Sequence, residues 1–227
     1  MKAQPFPTRR PLLLAVITLA TLLHQPGRAQ TLFDEPRWEL RLDMGGTIPQ
    51  DANLPRFGEP VSGQQLKLSP GFQMDFAFNY KLTPWLAIGP ELGFLYNSVN
   101  SFGDISYHDT FLFQMPMMAN LTLEYPNQTR LRPYIGGGVG GVATALTFGE
   151  DYDWGPDGIG SNFTFGFQAF AGLNFQLNQS TYLGAMYRFL YTDSQDWDVE
   201  WWTDYHFHVA VDPIQVHSFC LVLSCRF

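Results

Sequence analysis

Cysteine is scarce in this sequence: among 227 residues there are two, Cys220 and Cys225. Five residues along a β-strand cover about 17 Å and end on opposite faces, so these thiols cannot bridge each other. The sequence therefore does not encode a disulfide-stabilised scaffold of the kind found in small secreted domains.

Basic residues are also scarce, with 13 Lys and Arg against 21 Asp and Glu and a formal net charge of −8. Nucleic-acid-binding proteins need clustered Lys and Arg to neutralise phosphates. We therefore expect no nucleic-acid partner.

The first 29 residues have the three parts of a secretory signal peptide, namely a basic start, an apolar run over 11–23 and small residues before a cleavage point. The basic residues are Lys2, Arg9 and Arg10, and the small ones are Gly27 and Ala29. We predict cleavage between Ala29 and Gln30. The alternative, a membrane anchor, is disfavoured because the run is too short to span a bilayer comfortably.

Residues 30–227 are then predicted to form one domain. Removing 1–29 takes away four basic residues and no acidic one, so the net charge falls from −8 to −12. No apolar run of about 18 residues occurs in this part, which excludes transmembrane helices. Aromatic residues nevertheless make up 16% of the chain. A membrane protein without such helices must be a closed barrel.

Apolar and polar residues alternate through most of the predicted mature chain. In 72–80 every even position is apolar or aromatic, and the odd positions hold Gln, Asp, Ala and Asn. This period of two is typical of a β-strand with two different faces. It recurs in 38–44, 86–96, 111–125, 163–175, 183–189 and 219–227. The glycine-rich stretch 133–146 completes a set of eight strands of about 9–14 residues, but its faces stay unassigned.

Short and long connections alternate between these strands. The short ones are 81–84, 126–129 and 178–180, and the long ones are 49–67, 97–109, 147–161 and 192–208. Transmembrane barrels have this pattern, with tight periplasmic turns and larger external loops. The sequence therefore predicts an all-β, eight-stranded antiparallel up-and-down transmembrane barrel with both termini in the periplasm.

The bulky apolar face should point outward into lipid, because eight strands enclose too little space for so many Phe side chains. Aromatic residues near the strand ends are expected to form interfacial girdles. Those near the short turns are Tyr80, Trp85, Tyr125, Phe175 and Tyr182, and those near the long loops are Tyr96, Phe111, Phe163 and Tyr191.

The opposite face should project charges into the lumen, where an unpaired charge would be costly. We predict a charge network of Arg41, Asp43, Asp75, Glu91 and Arg188, with Glu39 and Glu124 also inward. Glu91 is the first choice of partner for Arg188 and Asp75 the second. The network either packs a closed lumen or acts as the gate of a narrow pore.

The chain resembles the OmpA/OmpX-like family of small outer-membrane barrels, which includes opacity-type and porin-family proteins. The matching segments are 85–94, 132–140, Tyr187-Arg188 and Arg226-Phe227. The resemblance implies location in the outer membrane, contact with its lipids and lipopolysaccharide, and a terminal aromatic, Phe227, read by the barrel-assembly machinery.

Four short motifs resemble known binding or catalytic elements but depart from each of them. The GxGxxG match at 136–141 lies inside a predicted strand and so lacks the helix of a dinucleotide site. The acidic stretch 151–158 has Gly155 and Pro156 where a calcium loop needs other residues. His206 and His208 share a face if extended, without an evident third metal ligand. His217-Ser218 does not continue as the His-x-Ser-Asn element of a lipid-deacylating relative.

We therefore expect no cofactor, metal or catalytic site. The predicted function is a non-enzymatic, monomeric outer-membrane protein with a role in surface interaction or envelope integrity. The alternatives are a narrow solute channel and, less favoured, a lipid-modifying enzyme.

Overall fold

A computed structural model describes residues 36–106, 109–149, 158–201 and 205–227. The predicted signal peptide and its cleavage point, Ala29–Gln30, lie outside these ranges. Within them, no helix is long and apolar enough to cross a membrane.

The described strands are, in chain order, β1 (Trp38–Pro49), β2 (Ala52–Asn53), β3 (Arg56–Phe57), β4 (Glu59–Pro60), β5 (Gln65–Leu68), β6 (Gly71–Thr83), β7 (Leu86–Phe102), β8 (Ile105–Ser106), β9 (Phe111–Glu124), β10 (Leu131–Phe148), β11 (Gly158–Gln176), β12 (Thr181–Thr192), β13 (Gln195–Trp201), β14 (Tyr205–Val211) and β15 (Ile214–Arg226). Among them, β1, β6, β7, β9, β10, β11, β12 and β15 close an antiparallel barrel. Each of these eight strands pairs with the next one in this order, and β1 pairs with β15 to close the wall. The predicted eight-stranded up-and-down barrel is confirmed.

Alternation fixes the two faces of this wall as the sequence predicts. On β6, Phe72, Phe76 and Phe78 are exposed on the outer surface, whereas Gln73 and Asp75 are buried inside. Because successive side chains of a strand point to opposite faces, the same alternation orders the other barrel strands.

The glycine-rich strand β10, whose faces the sequence left unassigned, turns its even-numbered residues inward, including Tyr134, Val142 and Leu146. A side chain at Gly136 would collide with the ring of Phe170. These glycines therefore make room for large side chains that reach across from other strands.

The three predicted short turns occur at one end of the barrel, here called the short-turn end, after β6, β9 and β11. The other end is called the long-loop end. The prediction of four loops there was incomplete, because 49–67 contains β2, β3, β4 and most of β5, and 192–208 contains β13 and the start of β14. Five barrel strands have the predicted length, but β7, β10 and β11 are longer, at 17, 18 and 19 residues. At the long-loop end these three strands pair with each other or with loop strands, which satisfies the hydrogen bonds of their backbones.

The long-loop end carries two additions to the wall. β13 pairs with the start of β11, and the sheet continues through β14 and β3 to β4. On the opposite side β5 pairs with β7 and with β2, and β8 also pairs with β7. These additions cover the opening of the barrel.

An apolar core fills the long-loop half of the lumen, which the sequence did not predict. Its members include Leu95, Leu112, Met118, Val142, Leu146, Leu190, Trp197, Val199, Val209 and Ile214. We call this set the apolar cap, together with the remaining buried members of the same cluster, which are Ala52, Leu54, Leu66, Leu68, Val99, Phe102, Phe148, Val211 and Val216. Covering strands exclude water from this half, so inward apolar side chains are stable there.

Candidate functional site

The structure brings together the five predicted lumen charges, Arg41, Asp43, Asp75, Glu91 and Arg188, which we call the central cluster. The Arg188 guanidinium, on β12, is fully buried and contacts carboxylates from three other strands. Its Nη1 atom lies 2.6 Å from Oε1 of Glu91 and 3.0 Å from Oδ1 of Asp75. Its Nη2 atom lies 3.1 Å from Oδ2 of Asp43. Arg188 therefore joins β12 to β1, β6 and β7 across the lumen.

Arg41 completes this cluster from β1. Its Nε atom donates to Asp43 Oδ2 at 3.0 Å and its Nη2 atom donates to Glu91 Oε2 at 2.8 Å. Asp43 and Asp75 are direct cross-strand partners on β1 and β6. Like charges in such a pair repel each other, so the two carboxylates need the shared guanidinium of Arg188.

Neutral side chains satisfy further acceptors of the central cluster. Gln168 Nε2 donates to Glu91 Oε1 at 2.7 Å and to Asn120 Oδ1 at 2.8 Å. Gln73 Nε2 donates to Asp75 Oδ2 at 2.6 Å, and Ser218 Oγ donates to Gln73 Oε1 at 2.5 Å. Because buried charges are stable only when they are hydrogen-bonded, these amides are part of the cluster's stability.

A second charged group lies nearer the short-turn end and centres on Arg226, which the sequence analysis did not assign to the lumen. Arg226 Nε donates to Glu39 Oε2 at 2.7 Å, and Nη2 bonds Glu124 Oε2. Glu124 Oε1 also lies 3.9 Å from Nζ of Lys81 and 3.5 Å from Nη1 of Arg132. Alternation could have revealed Arg226, since its neighbours Cys225 and Phe227 point outward.

Tyr182 belongs to this second group, which corrects its assignment to the outer aromatic girdle. Its side chain is buried, and the guanidinium carbon of Arg226 lies 4.0 Å from its ring centroid. On β12 the outward residue is Leu183, so the ring of Tyr182 faces the lumen, where it gains a cation–π contact.

Four aromatic rings pack together where the apolar cap meets the covering strands at the long-loop end. Phe57 lies 5.0 Å from Phe102 and 5.5 Å from Phe207, measured between ring centroids. Phe148 lies 5.5 Å from Phe102 and 5.9 Å from Phe207. These rings come from β3, β7, β10 and β14, so the covering strands are fastened to the wall by packing.

The β13–β14 hairpin has two different faces. Its inner face contributes Trp197, Val199 and Val209 to the apolar cap, and Trp197 Nε1 donates to Thr144 Oγ1 at 3.0 Å. Its outer face carries Asp196, Asp198, Glu200, His206 and His208, all exposed. The hairpin is therefore held by its apolar side and presents a charged surface.

The remaining sequence motifs lie at separate places in the chain. Ser218 faces the lumen, whereas His217 faces outward and its Nδ1 atom lies 2.6 Å from the hydroxyl of Tyr187. Since they lie on opposite faces of β15, His217 and Ser218 cannot act as a base and nucleophile pair. The GxGxxG match lies within β10, and most of the acidic stretch 151–158 is outside the described residues. Phe227 is exposed on the outer surface.

This arrangement closes the lumen in two chemically different layers. The central cluster fills one layer with ion pairs, and the apolar cap fills the other mainly with aliphatic and aromatic side chains, which offer few hydrogen bonds to a hydrated ion. A solute on its way through the barrel would have to disrupt both layers.

Several solved outer-membrane barrels are similar in fold. OprG from Pseudomonas aeruginosa matches with a TM-score of 0.59 and 15% identity, over 85% of this chain and 98% of that one. Neisserial surface protein A matches with a TM-score of 0.54 and 13% identity, over 84% and 97%. The outer membrane protease OmpT from Escherichia coli matches with a TM-score of 0.54 and 6% identity, over 88% and 99%.

These identities establish the fold alone. A search of curated proteins gives no match. The family model described as outer membrane protein beta-barrel domain matches residues 13–227, which is most of the chain. The protein therefore belongs to the outer-membrane protein β-barrel domain family.

Proposed function

We propose that this outer-membrane barrel acts without catalysis as a surface-interaction protein, whose long-loop end faces the cell exterior. Membership of the family supports the outer-membrane location. Orientation is proposed from loop length, because outer-membrane barrels have short periplasmic turns and longer external loops.

The observation that carries this proposal is the construction of the β13–β14 hairpin. Its inner face is buried in the apolar cap, while Asp196, Asp198 and Glu200 stand exposed on the other face. A charged surface held on rigid β-structure suits recognition, because little conformational entropy is lost when a partner binds.

The proposed partners along the wall are outer-membrane lipids and lipopolysaccharide. The outer surface exposes apolar side chains along every barrel strand, among them Phe76, Phe94, Phe165 and Leu221. The exposed Phe227 at the end of β15 suits recognition by the barrel-assembly machinery. We further propose that the protein acts as a monomer, since the described strands already close the barrel.

A narrow gated channel is the second candidate function. Arg41 and Arg188 share two carboxylates, Asp43 and Glu91, so each carboxylate keeps one ion pair when the other arginine moves away. This candidate is disfavoured because the apolar cap must also open before an ion can pass. The enzyme hypothesis is weaker still, because His217 and Ser218 lie on opposite faces of their strand.

The test compares three forms of the protein, each expressed in a strain from which the chromosomal gene for this protein has been deleted. One is the wild type. The second neutralises the hairpin surface through Asp196→Asn, Asp198→Asn and Glu200→Gln. The third, Arg130→Gln, changes one exposed charge at the short-turn end and serves as the control. Adhesion to cultured epithelial cells and resistance to detergent are measured at equal amounts of folded barrel.

We expect the neutralised hairpin to lower adhesion several-fold and the Arg130 variant to leave it unchanged. A loss of detergent resistance without a change in adhesion would redirect the proposal to envelope integrity. Equal behaviour of wild-type and deletion cells in both assays would refute it. Steady conductance of the wild type in a planar bilayer would favour the channel, and time-dependent change of lipid A would favour the enzyme.

A further inference from the structure

Two histidines lie side by side on the exposed face of β14. His206 and His208 are two residues apart, so their side chains leave the same face at positions about 7 Å apart. Half of each side chain is exposed, at 50% and 51%. Two imidazoles at this spacing can bind one metal ion together, since each metal–nitrogen bond is about 2 Å long.

Each imidazole has a carboxylate at its other ring nitrogen. Nδ1 of His206 lies 3.4 Å from Oδ1 of Asp198, and Nδ1 of His208 lies 3.4 Å from Oδ1 of Asp196. A carboxylate at Nδ1 favours the tautomer with the proton on that atom and leaves the lone pair on Nε2 for a metal. Metal-binding histidines commonly have such a carboxylate partner, which also orients the ring.

The electrostatic environment also favours a cation. Asp196, Asp198 and Glu200 follow one another along the same face of β13, and the last two lie directly opposite His208 and His206. Neighbouring carboxylates repel each other, and a bound divalent ion reduces that repulsion. The backbone beneath is held in place because Trp197 and Val209 are fully buried in the apolar cap.

We propose that His206 and His208 form a two-imidazole site for a divalent transition-metal ion, with Nε2 of each ring as the ligand atom. Asp196 and Asp198 are positioning residues. In the described part of the chain no three His, Cys, Asp or Glu side chains already converge on one point. Water or a donor from a bound partner therefore completes the coordination, and the ion remains accessible at the surface.

The ligand set specifies the class of metal. Imidazole suits Zn²⁺, Cu²⁺ and Ni²⁺, whereas Ca²⁺ and Mg²⁺ require oxygen ligands. The site should therefore discriminate against Ca²⁺, which a surface built of carboxylates alone would not do. The inference does not depend on the proposed surface role, because it concerns metal binding by the purified barrel.

The test uses the full mature chain, without an affinity tag, refolded in detergent. Titration calorimetry with ZnCl₂, NiCl₂ and CaCl₂ gives stoichiometry and affinity, and electron paramagnetic resonance with Cu²⁺ reports nitrogen ligands. We expect one Zn²⁺ per barrel and weaker Ca²⁺ binding. His206→Ala and His208→Ala should each lower Zn²⁺ affinity at least tenfold. Asp198→Asn should lower it about 10- to 100-fold, the usual effect of removing an outer carboxylate.

The matched control is His217→Ala, which removes an imidazole from the outer wall away from the hairpin. It should leave Zn²⁺ affinity unchanged. Heat-modifiable migration on a gel checks that each variant is folded, and His208→Gln replaces His208→Ala if the latter does not fold. The proposal is overturned if the wild type binds no stoichiometric Zn²⁺, if Ca²⁺ binds equally well, or if Cu²⁺ spectra lack two nitrogen ligands.

Discussion

Replacing Arg188 with Ala tests the central cluster most directly. The substitution removes a fully buried guanidinium that contacts Glu91, Asp75 and Asp43 at 2.6, 3.0 and 3.1 Å. Of the two guanidinium groups in the central cluster, only that of Arg41 would remain. With all groups ionised, the charge of the five-residue set changes from −1 to −2 in the variant.

The magnitude follows from what the variant leaves behind. Removing one partner of a buried ion pair costs about 3–5 kcal/mol, because an uncompensated charge stays in a poorly solvated site. Three carboxylates lose contacts here, so we expect the upper part of that range. Water that enters the space of the lost side chain would lower the cost.

A double-mutant cycle isolates the contact with Glu91. Arg188→Ala and Glu91→Gln should each destabilise the barrel, and the double variant should lose about 2 kcal/mol less than their sum, within the range for side chains in direct contact. The assay is urea unfolding of the refolded protein in lipid vesicles, followed by tryptophan fluorescence. Strictly additive losses would refute the coupling that the 2.6 Å contact predicts.

The control for this cycle is Arg132→Ala. Its side chain is 22% exposed and its Nη1 atom lies 3.5 Å from Glu124. Partly solvated pairs contribute about 0–1 kcal/mol, so this variant should lose less than about 1 kcal/mol. A loss as large as that of Arg188→Ala would show that any arginine truncation destabilises the barrel, whatever its burial.

Two further predictions concern the wall. Phe167→Arg should cost about 2–4 kcal/mol in vesicles, because it puts a charge on the lipid-facing surface near the middle of β11, whereas Phe167→Leu, which keeps that surface apolar, should cost less; equal losses would contradict the outward assignment of Phe167. Gly138→Ala should cost about 1–3 kcal/mol, because its methyl group would collide with the side chain of Asn120, whereas Gly46→Ala, whose nearest atom would be 3.9 Å away, should be neutral in the same unfolding assay. Equal stability of the two alanine variants would show that β10 has room for larger side chains.

The alternation of side chains made most of the barrel predictable. A strand has a period of two, so Phe72 and Phe76 predict one face and Asp75 the other without any tertiary information. Arg226 follows the same rule, since its neighbours Cys225 and Phe227 both face outward. The same rule fails for β10, because glycines have no side chain that distinguishes the faces.

The partners within the lumen were only partly predictable. The alternation of side chains puts Arg188 and Glu91 on the inner face of the barrel. Because the barrel is narrow, residues on that face lie within reach of each other. Alternation does not fix the positions of these side chains along the barrel axis, because those positions depend on the stagger between strands. The contact of Arg188 with Asp43, as well as with Glu91 and Asp75, required the register of the closed sheet.

The amino-acid sequence by itself determined the period of the strands, the lipid-facing band and the alternation of short and long connections, because each depends on residues close together in the chain. Only the tertiary structure decided that 192–208 pairs as a hairpin, that Trp197 and Val209 share a core with Leu112 and Leu146, and that Tyr182 faces Arg226. These features arise from contacts between distant segments. Their stability comes from burial and pairing that no local pattern of residues records.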